Sequence, residues 1–277
     1  MAVKASLSYI NRRSVIHSLT GTTKLIGFFF WSIGAMFTYD TRVLLAMFAM
    51  SVGIFLLSKI KFQEVSFALA FMLTFLILNN LAIFFFAPEE GVRVYGTRHL
   101  LFHLVGPYHV TLEQLFYMFN VSLKYFTVIP IALLFIVATD PSEFASSLSS
   151  IGVSYRVGYS VSIALRYVPD IQRDFHNISQ AQQARGIDLS KKEKLSTRLK
   201  NAAAILMPLI LSSLTRIEVI SNAMELRGFG KHNKRTWYNQ RPFRARDFIA
   251  IAFVTVVMVS SLVITFYDGN RFYNPFL

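Results

Sequence analysis

Five stretches of this chain are too long and too apolar for the core of an ordinary water-soluble domain. Residues 22–39, 43–58, 65–86, 113–138 and 248–267 are almost without charge, and 65–86 is the most apolar of them. A helix crossing a bilayer needs roughly 20 apolar residues, so the last three suffice, while the first two are short and are expected to tilt little or sit in thinner surroundings. Composition supports the same reading: 54% of residues are hydrophobic, 16% are charged and the mean hydropathy is +0.47. A soluble domain carries about 25% charged residues, and a disordered chain lacks such an apolar excess. The chain has no cysteine, which excludes disulfide frameworks, thiol catalysis and Cys-ligated metal centres. The expected fold is an all-α polytopic membrane protein of about five transmembrane helices, with a cytoplasmic-side module of long amphipathic helices.

The net charge of +13 is compatible with nucleic acid or with a membrane whose inner side attracts basic loops. Its distribution favours the membrane. Lys4, Arg12, Arg13 and Lys24 come before or at the start of the first span, and Lys59 and Lys61 follow the second. Residues 139–247 hold 17 Lys and Arg against 9 Asp and Glu, a net of +8, whereas the 88–112 loop sets Arg93 and Arg98 against Glu89 and Glu90. Five crossings then place every strongly basic connection on one side. The N-terminus and 139–247 are expected in the cytoplasm, the C-terminus outside, and the protein in the cell membrane. No cleavable signal peptide is expected at the N-terminus. Three regions follow: a four-span membrane region (1–138), a coupling-helix module (139–247), and a final span with its tail (248–277).

The module is far too long for an ordinary connection. A short helix is expected from Asp140-Pro141-Ser142-Glu143 to Ser150-Ile151-Gly152, and two longer helices follow, over about 163–185 and 199–226. On the first, Ala164, Val168, Ile171, Phe175 and Ile178 share a face, with Asp170, Arg173, Asp174, Asn177 and Gln180 largely opposite. On the second, Leu199, Ala203, Leu206, Ile210, Leu214, Ile217, Ile220 and Met224 repeat with the same period. Its middle, 202–214, is apolar nearly all round but too short to cross a bilayer, and Pro208 is expected to bend it. It must therefore be buried against helices, a partner or the membrane surface. Residues 191–194 read as a solvated hairpin between the two helices.

Both long helices end alike, at Ala184-Arg185-Gly186 and Leu226-Arg227-Gly228. A glycine beyond a helix end supplies a left-handed cap, and arginine there suits the negative end of the helix dipole. The alternative is functional: each guanidinium, carried on a long rod, engages an acidic pocket of a partner through its bidentate fork.

These residues resemble a known family, the EcfT/CbiQ-like transmembrane T component of energy-coupling factor transporters, a vitamin-importing branch of ABC transporters. Residues 180–186 and 222–229 resemble its two X-Arg-Gly helix ends. Ala164-Leu165-Arg166-Tyr167-Val168-Pro169 resembles the stretch that precedes the first. Leu19 and Thr23-Lys24-Leu25 match its N-terminal pattern Leu-Asp-Pro-Arg-Thr-Lys-Leu, with Thr20, Gly21 and Thr22 in place of Asp, Pro and Arg. The resemblance implies a non-catalytic scaffold on which two ATPase subunits, identical or different, each receive one motif arginine. It also implies a membrane-embedded S component that binds the vitamin and packs on the long helices. Ala184, Arg185, Gly186, Leu226, Arg227 and Gly228 are then the ATPase contacts. Ala164, Val168, Ile171, Phe175, Ala203, Leu206, Ile210 and Leu214 are the S-component surface. No cofactor is expected on this chain, since ATP and Mg belong to the ATPases.

Other signals are weaker. Gly230-Lys231 lacks the rest of a Walker loop, and neither Gly-x-Ser-x-Gly nor His-Glu-x-x-His occurs, so the chain is not expected to be an enzyme. His99, His103 and His109 read as loop histidines rather than metal ligands. In its long span Lys124 is expected to snorkel outward, and Asn79 and Asn80 to tie helices together. Residues 231–235 with Trp237 and Tyr238 read as a lipid-headgroup anchor rather than a nucleic-acid patch. Two alternative functions stand beside the scaffold. One is a self-sufficient ABC importer permease with its own substrate passage. The other is an ion-driven transporter, for which the chain lacks an inverted repeat.

Overall fold

The computed structural model describes residues 12, 14–103, 109–187, 195–232, 236–237, 241–267 and 271–276. The sequence features at Lys4, Arg13, Gly106-Pro107, 191–194, 233–235 and Tyr238 lie outside them. The chain divides into two compact units, Met1–Asp140 with Arg241–Leu277, and Pro141–Gln240.

The first unit is built on five helices, α1 (Gly21–Phe37), α2 (Thr41–Leu57), α3 (Phe62–Phe86), α5 (Leu112–Ala138) and α9 (Ala245–Tyr267). All five correspond to stretches expected to span. Of these, α3, α5 and α9 are long and apolar enough to cross a membrane, while α1 and α2 have 17 residues each. The α1 helix packs on α5 and α9, and α2 packs chiefly on α5. The apolar core between them holds Trp31, Ala35, Val43, Met47 and Ile131. Gly34 makes the α1–α9 crossing close: a Cβ there would lie 2.9 Å from Ser261 Oγ. Small residues let helices approach this tightly in lipid, where apolar burial alone supplies little drive. The α3 helix is peripheral and buries little besides Val65, Ala68 and Leu76.

Each end of this unit is tied by a buried polar group. At one end Asp247, 1% exposed, accepts from Thr20 N (2.8 Å), Thr23 Oγ1 (2.8 Å) and Arg244 N (2.9 Å), which joins the starts of α1 and α9. Thr20 caps α1 by accepting from Thr23 N, and Lys24 Nζ donates to the Ala138 carbonyl (2.8 Å) at the end of α5. Arg12 reaches the same end, donating to the Lys59 carbonyl (3.0 Å) and pairing with Glu64. The departing N-terminal motif is thus architectural, with a threonine cap where the family pattern has aspartate. At the other end Glu113, fully buried, accepts from Thr97 Oγ1 and from the backbone and ring nitrogens of His99.

Two local expectations are corrected here. Lys124 does not snorkel: it is buried, donates to the Met36 carbonyl (2.9 Å) and stands 3.0 Å from the Tyr39 ring centroid. Arg271 donates to the Phe37 and Met36 carbonyls, so two cations satisfy the exposed carbonyl end of α1. The 88–112 segment is not a plain loop. It forms α4 (Glu90–Tyr95) and an antiparallel pair, β1 (Leu100–His103) and β2 (His109–Thr111). Gly91 lets α4 lie directly on α5, and its amide donates to Gln114 Oε1 (2.8 Å). Asn80 meets the interhelical expectation by donating to Ser122 Oγ (2.8 Å) across α3 and α5.

The second unit contains α6 (Pro141–Ser150), α7 (Tyr155–Ala184) and α8 (Leu195–Leu226). The α7 helix begins eight residues before the expected start at 163 because its first turns are held by packing rather than by an apolar stripe. Gly158 allows the Ala145 carbonyl and the Trp237 ring to approach it. Trp237, half-buried, is packed within this unit.

Candidate functional site

The α7 and α8 helices form an antiparallel pair. Near the end of α7, Gln182 Nε2 donates to the Ala204 carbonyl early in α8 (3.2 Å). Further along, Asp174 and Arg216 pair at 2.6 Å, and Arg216 lies 5.6 Å from the Tyr167 ring centroid. At the far end Tyr155 and Tyr159 touch the Phe229 ring, and Arg156 donates to the Gly230 carbonyl (3.1 Å). Ile205 and Leu209 are buried in α8, Ser179 in α7.

This arrangement puts Arg185 and Arg227 at opposite ends of the pair, about 45 Å apart for a 30-residue helix at 1.5 Å per residue. The two glycine closures match bond for bond. Gly186 N donates to the Gln183 carbonyl and Ile187 N to Gln182, each at 3.0 Å. Gly228 N donates to Glu225 (2.8 Å) and Phe229 N to Met224 (2.9 Å). The glycines take φ of 85° and 65°. This is the Schellman closure, with arginine at the last helical junction and glycine in the left-handed position. The α6 helix closes the same way through Gly152 and Val153, with Ile151 where the others have arginine. The cap requires the glycine and is indifferent to arginine. Dipole complementarity contributes only about 0.3–1 kcal/mol at an exposed site. Both arginines are exposed, as are Ala184, Gly186 and Leu226, while Gly228 is half-buried.

The eight residues of the expected S-component surface are all exposed: Ala164, Val168, Ile171 and Phe175 on α7, and Ala203, Leu206, Ile210 and Leu214 on α8. The helix pair uses its other face for internal contact and leaves this apolar one uncovered. One expectation about α8 is overturned. Counted over 199–226, it is long and apolar enough to cross a membrane, because the interspersed Ser and Thr residues extend the 202–214 run at little cost in hydropathy.

His103 faces His109 across the β pair with ring centroids 4.5 Å apart, and His99 is engaged by Glu113. Among the described residues no three His, Cys, Asp or Glu side chains converge as a metal site. Sequence reasoning missed Asp247 and Glu113. A lone acid at the start of a span looks like a boundary marker, and nothing local announces its partners.

Residues 12–238, which include both Arg-Gly helix ends, match the CbiQ family, described as "Cobalt transport protein". The chain belongs to the CbiQ family. Membership upholds the resemblance to EcfT/CbiQ-like T components and an all-α, multi-pass protein of the cell membrane. The chain is similar to the "Energy-coupling factor transporter transmembrane protein EcfT" of Staphylococcus aureus, 26% identical over 266 residues covering 93% of this chain and 96% of that protein. The protein of the same name from Limosilactobacillus fermentum is 29% identical over 261 residues, covering 91% and 94%. That from Streptococcus equi is 25% identical over 257 residues, covering 90% and 92%.

Proposed function

We propose that this CbiQ-family chain is the coupling scaffold of an energy-coupling factor importer. In this reading Arg185 and Arg227 dock on two ATPase subunits, and the uncovered apolar faces of α7 and α8 carry the vitamin- or micronutrient-binding S component. One observation carries the reading: the same arginine-bearing closure occurs twice, at the two ends of one antiparallel pair. Tips about 45 Å apart cannot share a pocket, so they suit two copies or halves of a dimeric partner. The chain performs no chemistry, and the ATPases hold nucleotide and Mg.

The orientation belongs to the same proposal. Arg12, Lys24 and Arg244 belong to the end of the first unit that Asp247 ties, and the chain leaves α5 and returns to α9 at that end. Facing the cytoplasm, it puts the N-terminus and the module inside and the C-terminus outside. The α8 helix then lies along the membrane rather than across it. Its partner α7 carries Arg166, Asp170, Arg173 and Asp174, which hydrocarbon does not admit, and α8 shares α7's surroundings along much of its length.

The test is purification of the whole complex bearing Arg185→Ala, Arg227→Ala or both. ATPase retention and uptake fall, while cargo binding by the S component holds. Unchanged uptake in the double variant removes the assignment.

A further inference from the structure

We propose that a crevice in the first unit seats the headgroup-proximal segment, about six carbons, of one acyl chain of an anionic phospholipid whose phosphate rests on Arg246. The crevice has a volume of about 150 Å³ and lies among Gly27, Phe28 and Trp31 of α1, Phe135 of α5, and Phe253 and Val254 of α9. Its lining is almost wholly apolar. The one cation there, Lys24, already donates to the Ala138 carbonyl, so its charge is occupied. Gly27 opens the space: a Cβ at that position would meet no heavy atom within 4 Å.

Charge at the mouth selects the occupant. Ala250 and Val254 line the crevice, and Arg246 precedes them at i, i+4 spacing, so the three share a face of α9. Arg246 is exposed and occupies the first turn of α9, where the helix dipole disfavours a cation and Asp247 is turned inward to Thr20 and Thr23. An anion in front of Arg246 relieves that conflict. The run from Arg246 to Val254 is about 12 Å, within the roughly 15 Å that one leaflet's chains occupy in a hydrocarbon core about 30 Å thick. A charged head beside an apolar crevice fits a phospholipid better than a free anion, which would leave the crevice empty, or a neutral lipid, which would leave Arg246 unmatched.

The experiment is native mass spectrometry of the full chain with added phosphatidylglycerol or phosphatidylcholine of identical acyl chains. Wild type retains phosphatidylglycerol roughly fivefold better, the ratio for about 1 kcal/mol from one basic residue near an anionic headgroup. Arg246→Gln, an exposed change, abolishes that preference and leaves phosphatidylcholine retention as it was. Gly27→Leu fills the crevice and loses both lipids. The proposal is overturned if Arg246→Gln keeps the preference, if Gly27→Leu retains lipid like wild type, or if inorganic phosphate at equal concentration displaces phosphatidylglycerol.

Discussion

At Arg185 and Arg227 a single side chain separates a helix cap from a docking device, and lysine is the residue that distinguishes the two. Lysine keeps the positive charge that the dipole favours but lacks the planar fork that grips a carboxylate. Arg185→Lys and Arg227→Lys are expected to leave the thermal unfolding of the purified chain nearly unchanged. ATPase retention in the complex is expected to fall most of the way to that of the alanine variants. Full retention in the lysine variants would return both residues to the role of caps. Asp247 is the opposite kind of residue, visible only in three dimensions. Asp247→Ala strands the buried Thr20 amide, at a cost of about 1–3 kcal/mol, while the Thr23 hydroxyl keeps Thr20 Oγ1 as a partner. A fall in detergent-phase unfolding temperature, larger than for Asp247→Asn, is expected. The Arg-Gly ends were legible because a cap is written in consecutive residues, whereas Asp247 meets Thr20 across 227 positions.

The α7–α8 pair transmits motion between its tips only if its register is fixed. Asp174 and Arg216 pin it near mid-length, each side chain about a third exposed. Asp174→Arg and Arg216→Asp each place like charges together, and both are expected to lower uptake at unchanged ATPase retention. The double exchange restores the attraction and is expected to recover uptake, and a failure to recover would show that the pair does not set register. A pair exposed to this degree contributes modestly to stability, so unfolding temperature should shift little. The five bundle helices were legible because length and apolarity declare a span. The first turns of α7 were not, since Gly158 and its serine neighbours carry no stripe and are held by Trp237 from across the module. The β pair was also hidden, its strands being only four and three residues long.

For the whole molecule the deciding question is on which side of the membrane the two tips lie. The natural chain has no cysteine, so Arg185→Cys and Arg227→Cys each introduce a single reporter. Both are expected to resist a membrane-impermeant maleimide in intact cells and to react in inside-out vesicles. Labelling of one from outside would mean that α8 crosses the bilayer, which its length and composition allow, and would end the two-tip scaffold.

The insertion of 141–240 between α5 and α9 also has a consequence for biogenesis. The helix that covers Gly34 and binds Thr20 and Thr23 is made only after the whole of 141–240. Until it emerges, the Thr20 amide waits without its carboxylate, so the bundle closes late, after the entire module has been synthesised. A nascent chain halted within the module is an unfinished bundle, exposed to quality control in a way that the completed protein is not.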